Sequence, residues 1–122
     1  MKKILIIEDE VTLNEALKQA LQGAGFQVSQ AFNGEEALTK ALNTETEFDV
    51  LLLDLLMPVK DGFSFLDDYL LKKAEPAPVL VLTNLSDFSS QMRTYKKGII
   101  SYMIKANVSL EEIVKKVSSL VM

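Results

Sequence analysis

The sequence predicts an α/β fold, a doubly wound (βα)5 sandwich with a central five-stranded parallel sheet and helices on both faces. Three observations predict it. Five short apolar runs alternate with helical patterns along the whole chain. The first, third and fourth of these runs are continuously apolar rather than alternating, as central strands buried on both faces are. The 122 residues, 48% apolar and 25% charged, suit one core, with no linker, repeat or low-complexity segment, so residues 1–122 are expected to form one domain.

The first strand is KILIIE, residues 3–8, and it runs into Glu8, Asp9 and Glu10. Those acids stop the apolar run too early for a signal core or a membrane span, so a cytoplasmic protein without a membrane partner is expected. Leu13, Ala16, Leu17, Ala20, Leu21 and Ala24 then recur at spacings of three and four, and Gly25 reads as a helix stop. Residues 27–32 (QVSQAF) form the second strand. Asn33 can cap a second helix with Ala37, Leu38, Ala41 and Leu42 inward.

Residues 49–54 (DVLLLD) form the third strand, and a third helix runs from about Gly62 to Lys73 with Phe63, Leu66 and Leu70 inward. The fourth strand is PVLVLT, residues 78–83. A fourth helix over residues 87–97 has a weak apolar face of Phe88, Met92 and Tyr95. The fifth strand, IISYMI at 99–104, leads to Lys105. Ser109 and Glu112 form a capping box for a fifth helix that buries Leu110, Ile113, Val114, Val117 and Leu120 or Val121.

Composition narrows the chemistry. Without cysteine or histidine, thiolate and imidazole ligands and histidine bases are excluded. A net charge of -4 leaves no basic footprint, so direct nucleic-acid binding is not expected and a protein partner is.

In an open parallel sheet, ligands bind beyond the carboxyl ends of the strands. There the chain delivers Glu8, Asp9 and Glu10 after strand one, Asp54 after strand three, Thr83 and Asn84 after strand four, and Lys105 after strand five. Asp54 is conspicuous because it interrupts the apolar run VLLLDLLM, where an unpaired buried carboxylate costs several kcal/mol. Crowded carboxylates repel unless a cation joins them, and hard oxygen ligands suit Mg²⁺ or Mn²⁺. Thr83 can donate to a phosphoryl oxygen and Lys105 can neutralise one. Asp54 is the candidate nucleophile, able to form an acyl phosphate. Singly, each residue has a plain structural explanation as a cap, a strand residue or a surface lysine. Their convergence at one crevice is what argues for a site.

These residues resemble the receiver domain of bacterial two-component response regulators. The resemblance rests on the acidic pair Glu8 and Asp9, the segment DLLMPVKDG at 54–62, Thr83, the strand-five aromatic Tyr102, and Lys105. It implies a flavodoxin-like strand order of 2-1-3-4-5. Asp54 would be the phosphoacceptor, and Asp9, Asp54 and the Leu56 backbone carbonyl would hold Mg²⁺, with Glu8 acting mainly through water. Lys105 and Thr83 would contact the phosphoryl group. Tyr102 would turn inward as Thr83 moves, reshaping the face of helix four, strand five and helix five for a downstream protein. The donor would be a histidine kinase or phosphotransfer protein, and homodimerisation on phosphorylation would use that same face. The chain would be an enzyme only in phosphorylating and dephosphorylating itself, and would stand alone as a receiver.

Several residues depart from that pattern: Glu8 in the acidic pair, Asn84 after Thr83, Ala106 in place of the usual proline, Ile100, and Leu56 and Leu85, which imply slow self-dephosphorylation. Competing readings are an aspartate-nucleophile phosphohydrolase, which would want an acid where Leu56 stands, and a phosphorylation-independent pseudo-receiver that only binds a protein. A flavodoxin-like cofactor carrier is excluded by the acidic EDEVTLNE after strand one.

Overall fold

The computed structural model describes residues 1–57, 59–84 and 101–121. Five parallel strands, β1 (Lys3–Ile7), β2 (Gln27–Ala31), β3 (Val50–Leu53), β4 (Val79–Thr83) and β5 (Ser101–Ile104), form one sheet in the order β2-β1-β3-β4-β5. The three continuously apolar runs are the three central strands, because residues covered by helices on both faces have no solvent side to alternate toward. β2 lies at an edge and is only partly covered.

Helices α1 (Val11–Gly23), α2 (Gly34–Ala41), α3 (Gly62–Lys72) and a C-terminal helix (Leu110–Leu120) pack on the sheet. Leu17 and Leu21 of α1 join Ile113 and Val117 of the C-terminal helix over Ile4, Ile6, Leu52 and Leu80. The opposite face carries Ala37 and Ala41 of α2 with Phe65, Leu66 and Tyr69 of α3, over Leu5, Leu51, Leu53 and Val81. The fourth predicted helix, with Phe88, Met92 and Tyr95, lies outside the described residues, as do Leu85, Ile99 and Ile100.

The caps form as expected. The Asn33 side chain accepts from Glu36 N–H at 2.9 Å, and Ser109 and Glu112 complete the capping box. Gly25 has φ 97°, a value suited to glycine just past the end of α1. Two details differ from expectation. Ala24 is exposed because the helix has already ended, and Leu110 is 39% exposed because it opens the C-terminal helix at the crevice rim. In α3 Leu66 is fully buried as expected and Phe63 is buried too; Phe65 and Tyr69, not singled out from the sequence, are buried beside them, their rings stacked at 5.6 Å, with the Tyr69 hydroxyl accepting from Ala77 N–H at 2.8 Å. That bond satisfies the one polar atom a tyrosine brings into a core.

Candidate functional site

β1 and β3 leave the core side by side. Strand pairing continues one residue past each, since Glu8 N–H donates to the Ala31 carbonyl and Asp54 N–H to the Ile7 carbonyl, both at 3.0 Å. Rigid backbone therefore carries both carboxyl groups into the crevice, where Glu8 and Asp54 are buried at 2% and 6% exposure. Asp9, the more open member, completes a cluster in which Glu8, Asp9 and Asp54 each offer an oxygen, all within 4.8 Å of one another. Such a set of hard oxygens fits a divalent cation.

Lys105 answers the negative charge. It follows β5 at the start of a 3-10 turn, Lys105–Asn107, and its Nζ hydrogen-bonds Glu8 Oε1 and lies 3.4 Å from Asp54 Oδ2. Asp54 Oδ1 also accepts from Leu56 N–H at 3.3 Å, and Glu8 Oε2 from Glu10 N–H at 3.1 Å. Burial still dominates at Glu8, raising its pKa to about 7 against the lowering by Lys105 and the Glu10 amide, while the Asp54 charge adds to the rise. At Lys105 burial pulls the other way, but the Glu8 hydrogen bond and the fields of Asp54 and Glu8 outweigh it, so the ammonium titrates above its ordinary range.

Thr83 ends β4 fully buried, paired in register with Ile104, and Tyr102 is half-buried on β5 against the α2–α3 side of the core. Asn84 and Ala106 are exposed. No cis peptide bond occurs among the described residues. The two leucines after Asp54 part company: Leu55 is fully buried and Leu56 is 56% exposed at the crevice mouth. Of the positions singled out from the sequence, Glu8, Asp9, Asp54, Leu56, Thr83, Tyr102, Lys105 and Ala106 thus lie at the strand ends or on the strand beside them.

Two further residues shape the site, Asn14, which was not anticipated, and Gly62, expected to serve backbone geometry at the start of α3. Asn14, fully buried on α1, donates from Nδ2 to the carbonyls of Glu8 (2.9 Å) and Ala31 (3.3 Å) and accepts at Oδ1 from Gln30 Nε2 (3.0 Å). It ties the ends of β1 and β2 to α1 and so holds the Glu8 backbone. Its signal was its phase, since Asn14, Leu17 and Leu21 share one helix face. Gly62 is the other. Its N–H donates to the Leu55 carbonyl at 2.9 Å, and a Cβ there would stand 2.6 Å from Leu55 Cα and closer still to the Asp54 carbonyl oxygen. Only glycine lets α3 start this close to the acceptor strand.

The profile of the family described as "Response regulator receiver domain" matches residues 4–118. The transcriptional regulatory protein ResD of Bacillus subtilis is 32% identical over 118 residues, 97% of this chain and 47% of that protein; PrrA of Mycobacterium leprae is 35% identical over 97% of this chain and 49% of its own length. The chain thus spans about half the length of these relatives. Among solved structures, the response regulator TrrA of Thermotoga maritima in complex with Mg²⁺ and BeF superposes with a TM-score of 0.84 at 32% identity, covering 98% of this chain and 99% of that one. CheY4 of Vibrio cholerae gives 0.86 at 28% identity over 98% of each. With the strand order, the acidic cluster and the lysine already in hand, this chain belongs to the receiver-domain family of two-component response regulators.

Proposed function

We propose that this chain is a phosphorylation-activated signalling switch in a two-component phosphorelay, in which Asp54 accepts a phosphoryl group from a histidine kinase or phosphotransfer protein. The observation that carries this reading is the convergence of Asp54 with Glu8, Asp9 and Lys105 at the ends of the central strands. Asp9, Asp54 and the Leu56 carbonyl, with Glu8 mainly through water, would hold Mg²⁺ or Mn²⁺. Once bound, such a cation neutralises charge on the phosphoryl oxygens.

The chain's own residues supply the rest. An Asp54 carboxylate oxygen attacks phosphorus, a P–O bond forms as the donor's P–N bond breaks, and the donor imidazole leaves with the electron pair. The partly buried Lys105 ammonium, already within 3.4 Å of Asp54, faces the incoming negative charge. The Thr83 hydroxyl donates to a phosphoryl oxygen. That movement of Thr83 makes room for Tyr102 to turn inward, and the surface around β5 and the C-terminal helix changes for a downstream protein or a second copy of the chain. Hydrolysis of the acyl phosphate returns the switch, slowly, because the Leu56 side chain at the crevice mouth offers no polar group to orient water. The chain acts as a catalyst only on itself. A cytoplasmic location suits this role, and no helix among the described residues is long and apolar enough to cross a membrane. The pseudo-receiver reading is disfavoured because acceptor, acidic partners and lysine stand together.

A cation bound to the native state alone raises stability by mass action, about 2.7 kcal/mol at a hundredfold excess over Kd. Thermal melts in millimolar Mg²⁺ are therefore expected to shift upward for the wild type and much less for Asp9→Ala. No shift in the wild type contradicts the metal site.

A further inference from the structure

The segment between Asp54 and α3 is held by backbone contacts from two directions. At its far end Gly62 N–H bonds the Leu55 carbonyl, and before that Gly34 N–H, in the first turn of α2, bonds the Lys60 carbonyl at 3.0 Å. A Cβ at position 34 would stand 2.8 Å from both the carbonyl carbon and the Cβ of Lys60, and closer still to the carbonyl oxygen. The side chain of Lys60 is itself committed to Asp68 of α3. Next to this anchor, Val59 has φ 68°, a left-handed value that β-branched side chains adopt only when their surroundings impose it. Val59 is 77% exposed, so little packing rewards the conformation, and the residue that follows it, Lys60, is an anchored one.

We propose that Gly34 is a positioning residue for the phosphoryl-transfer site, an inference that rests on the function proposed above. Helix α2 places no carboxylate in the metal cluster. Through Gly34 its first turn instead clamps Lys60, keeps Val59 strained, and so steadies the approach to Leu56, whose N–H bonds Asp54 and whose carbonyl is the cation ligand proposed above. Coupling of this kind is reciprocal: if the clamp favours cation binding, cation binding tightens the clamp.

The test uses the full chain and Mg²⁺ alone. Calorimetric titration compares the wild type, Gly34→Ala and Gly23→Ala, the last being a helical glycine where a Cβ would meet nothing within 4 Å. Amide hydrogen exchange of the wild type is measured with and without Mg²⁺. The wild type and Gly23→Ala are expected to bind alike, and Gly34→Ala about tenfold or more weakly, the usual scale for a residue supporting a metal site from behind its ligands. The Gly34 amide is expected to be slowed by Mg²⁺ more than the Ala37 amide, which bonds Asn33 in the same helix. Equal Mg²⁺ affinity in folded Gly34→Ala overturns the clamp and leaves Gly34 a structural glycine. Should Gly34→Ala fail to fold, equal protection of Gly34 and Ala37 in the wild type overturns it instead. A wild type that binds no Mg²⁺ overturns the proposed function itself, and the clamp with it.

Discussion

Without divalent cations, the protein is expected to lose about 3 kcal/mol of stability as pH rises through Glu8's range, from its ordinary 4.5 to about 7. Glu8 is only 2% exposed, so little solvent screening reduces this figure. Its folded-state pKa is raised, so between these values the native protein holds a proton that the unfolded chain has released. Stability from this group is complete below pH 4.5 and is lost as pH climbs through 7. The Lys105 contact softens the cost of ionising Glu8 without cancelling it, because burial is the larger effect. Denaturant unfolding in chelator between pH 5 and 8 measures the fall, and Glu8→Gln, which cannot ionise, should flatten it. Mg²⁺ affinity should rise with pH through the same window, since the ion binds the deprotonated form. Stability that stays level or climbs from pH 5 to 7 in chelator contradicts the assignment, and so does an equal fall in Glu8→Gln.

Gly62→Ala is expected to destabilise the protein by about 3 kcal/mol, or about 10 °C in Tm for a chain of this size. Alanine would be the better helix former by about 1 kcal/mol, so an open site would gain stability from this change. Here the added methyl meets backbone atoms of Leu55 and Asp54, which cannot rotate away as a side chain can. Either α3 lifts off the sheet or the Asp54 peptide moves. The first loosens Phe63, Phe65 and Leu66 in the core; the second breaks the 2.9 Å bond to Leu55 and misaims the acceptor. Gly23→Ala supplies the control, with a Tm unchanged or slightly raised. A Gly62→Ala variant as stable as wild type would show that the close approach carries no cost.

Much of this was legible in one sequence because the informative features are local. KILII, VLLL and VLVLT announce central strands by lacking alternation, and Asn33 and Ser109 announce helix starts by their side-chain chemistry. Strand ends then name the crevice residues, since parallel topology sends Glu8, Asp54, Thr83 and Lys105 to the same edge of the sheet. What stayed hidden depends on contacts between distant segments. Nothing near Gly34 announces that Lys60 will sit against it, and nothing near Val59 announces a left-handed backbone. Asn14 reads as a polar residue in an amphipathic helix until its partners, the carbonyls of Glu8 and Ala31, are known. Leu110 failed for a related reason: its spacing fits the buried stripe, but it opens the helix at the rim, where the sheet no longer covers it.

The most direct test of the central claim is the intact mass of the protein after incubation with Mg²⁺ and a small-molecule phosphodonor. One added phosphate is predicted for the wild type, labile as acyl phosphates are, and none for Asp54→Asn, which retains the shape of the side chain but lacks the nucleophilic oxygen pair. Equal labelling of Asp54→Asn, or a wild type that takes up no phosphate, would contradict it.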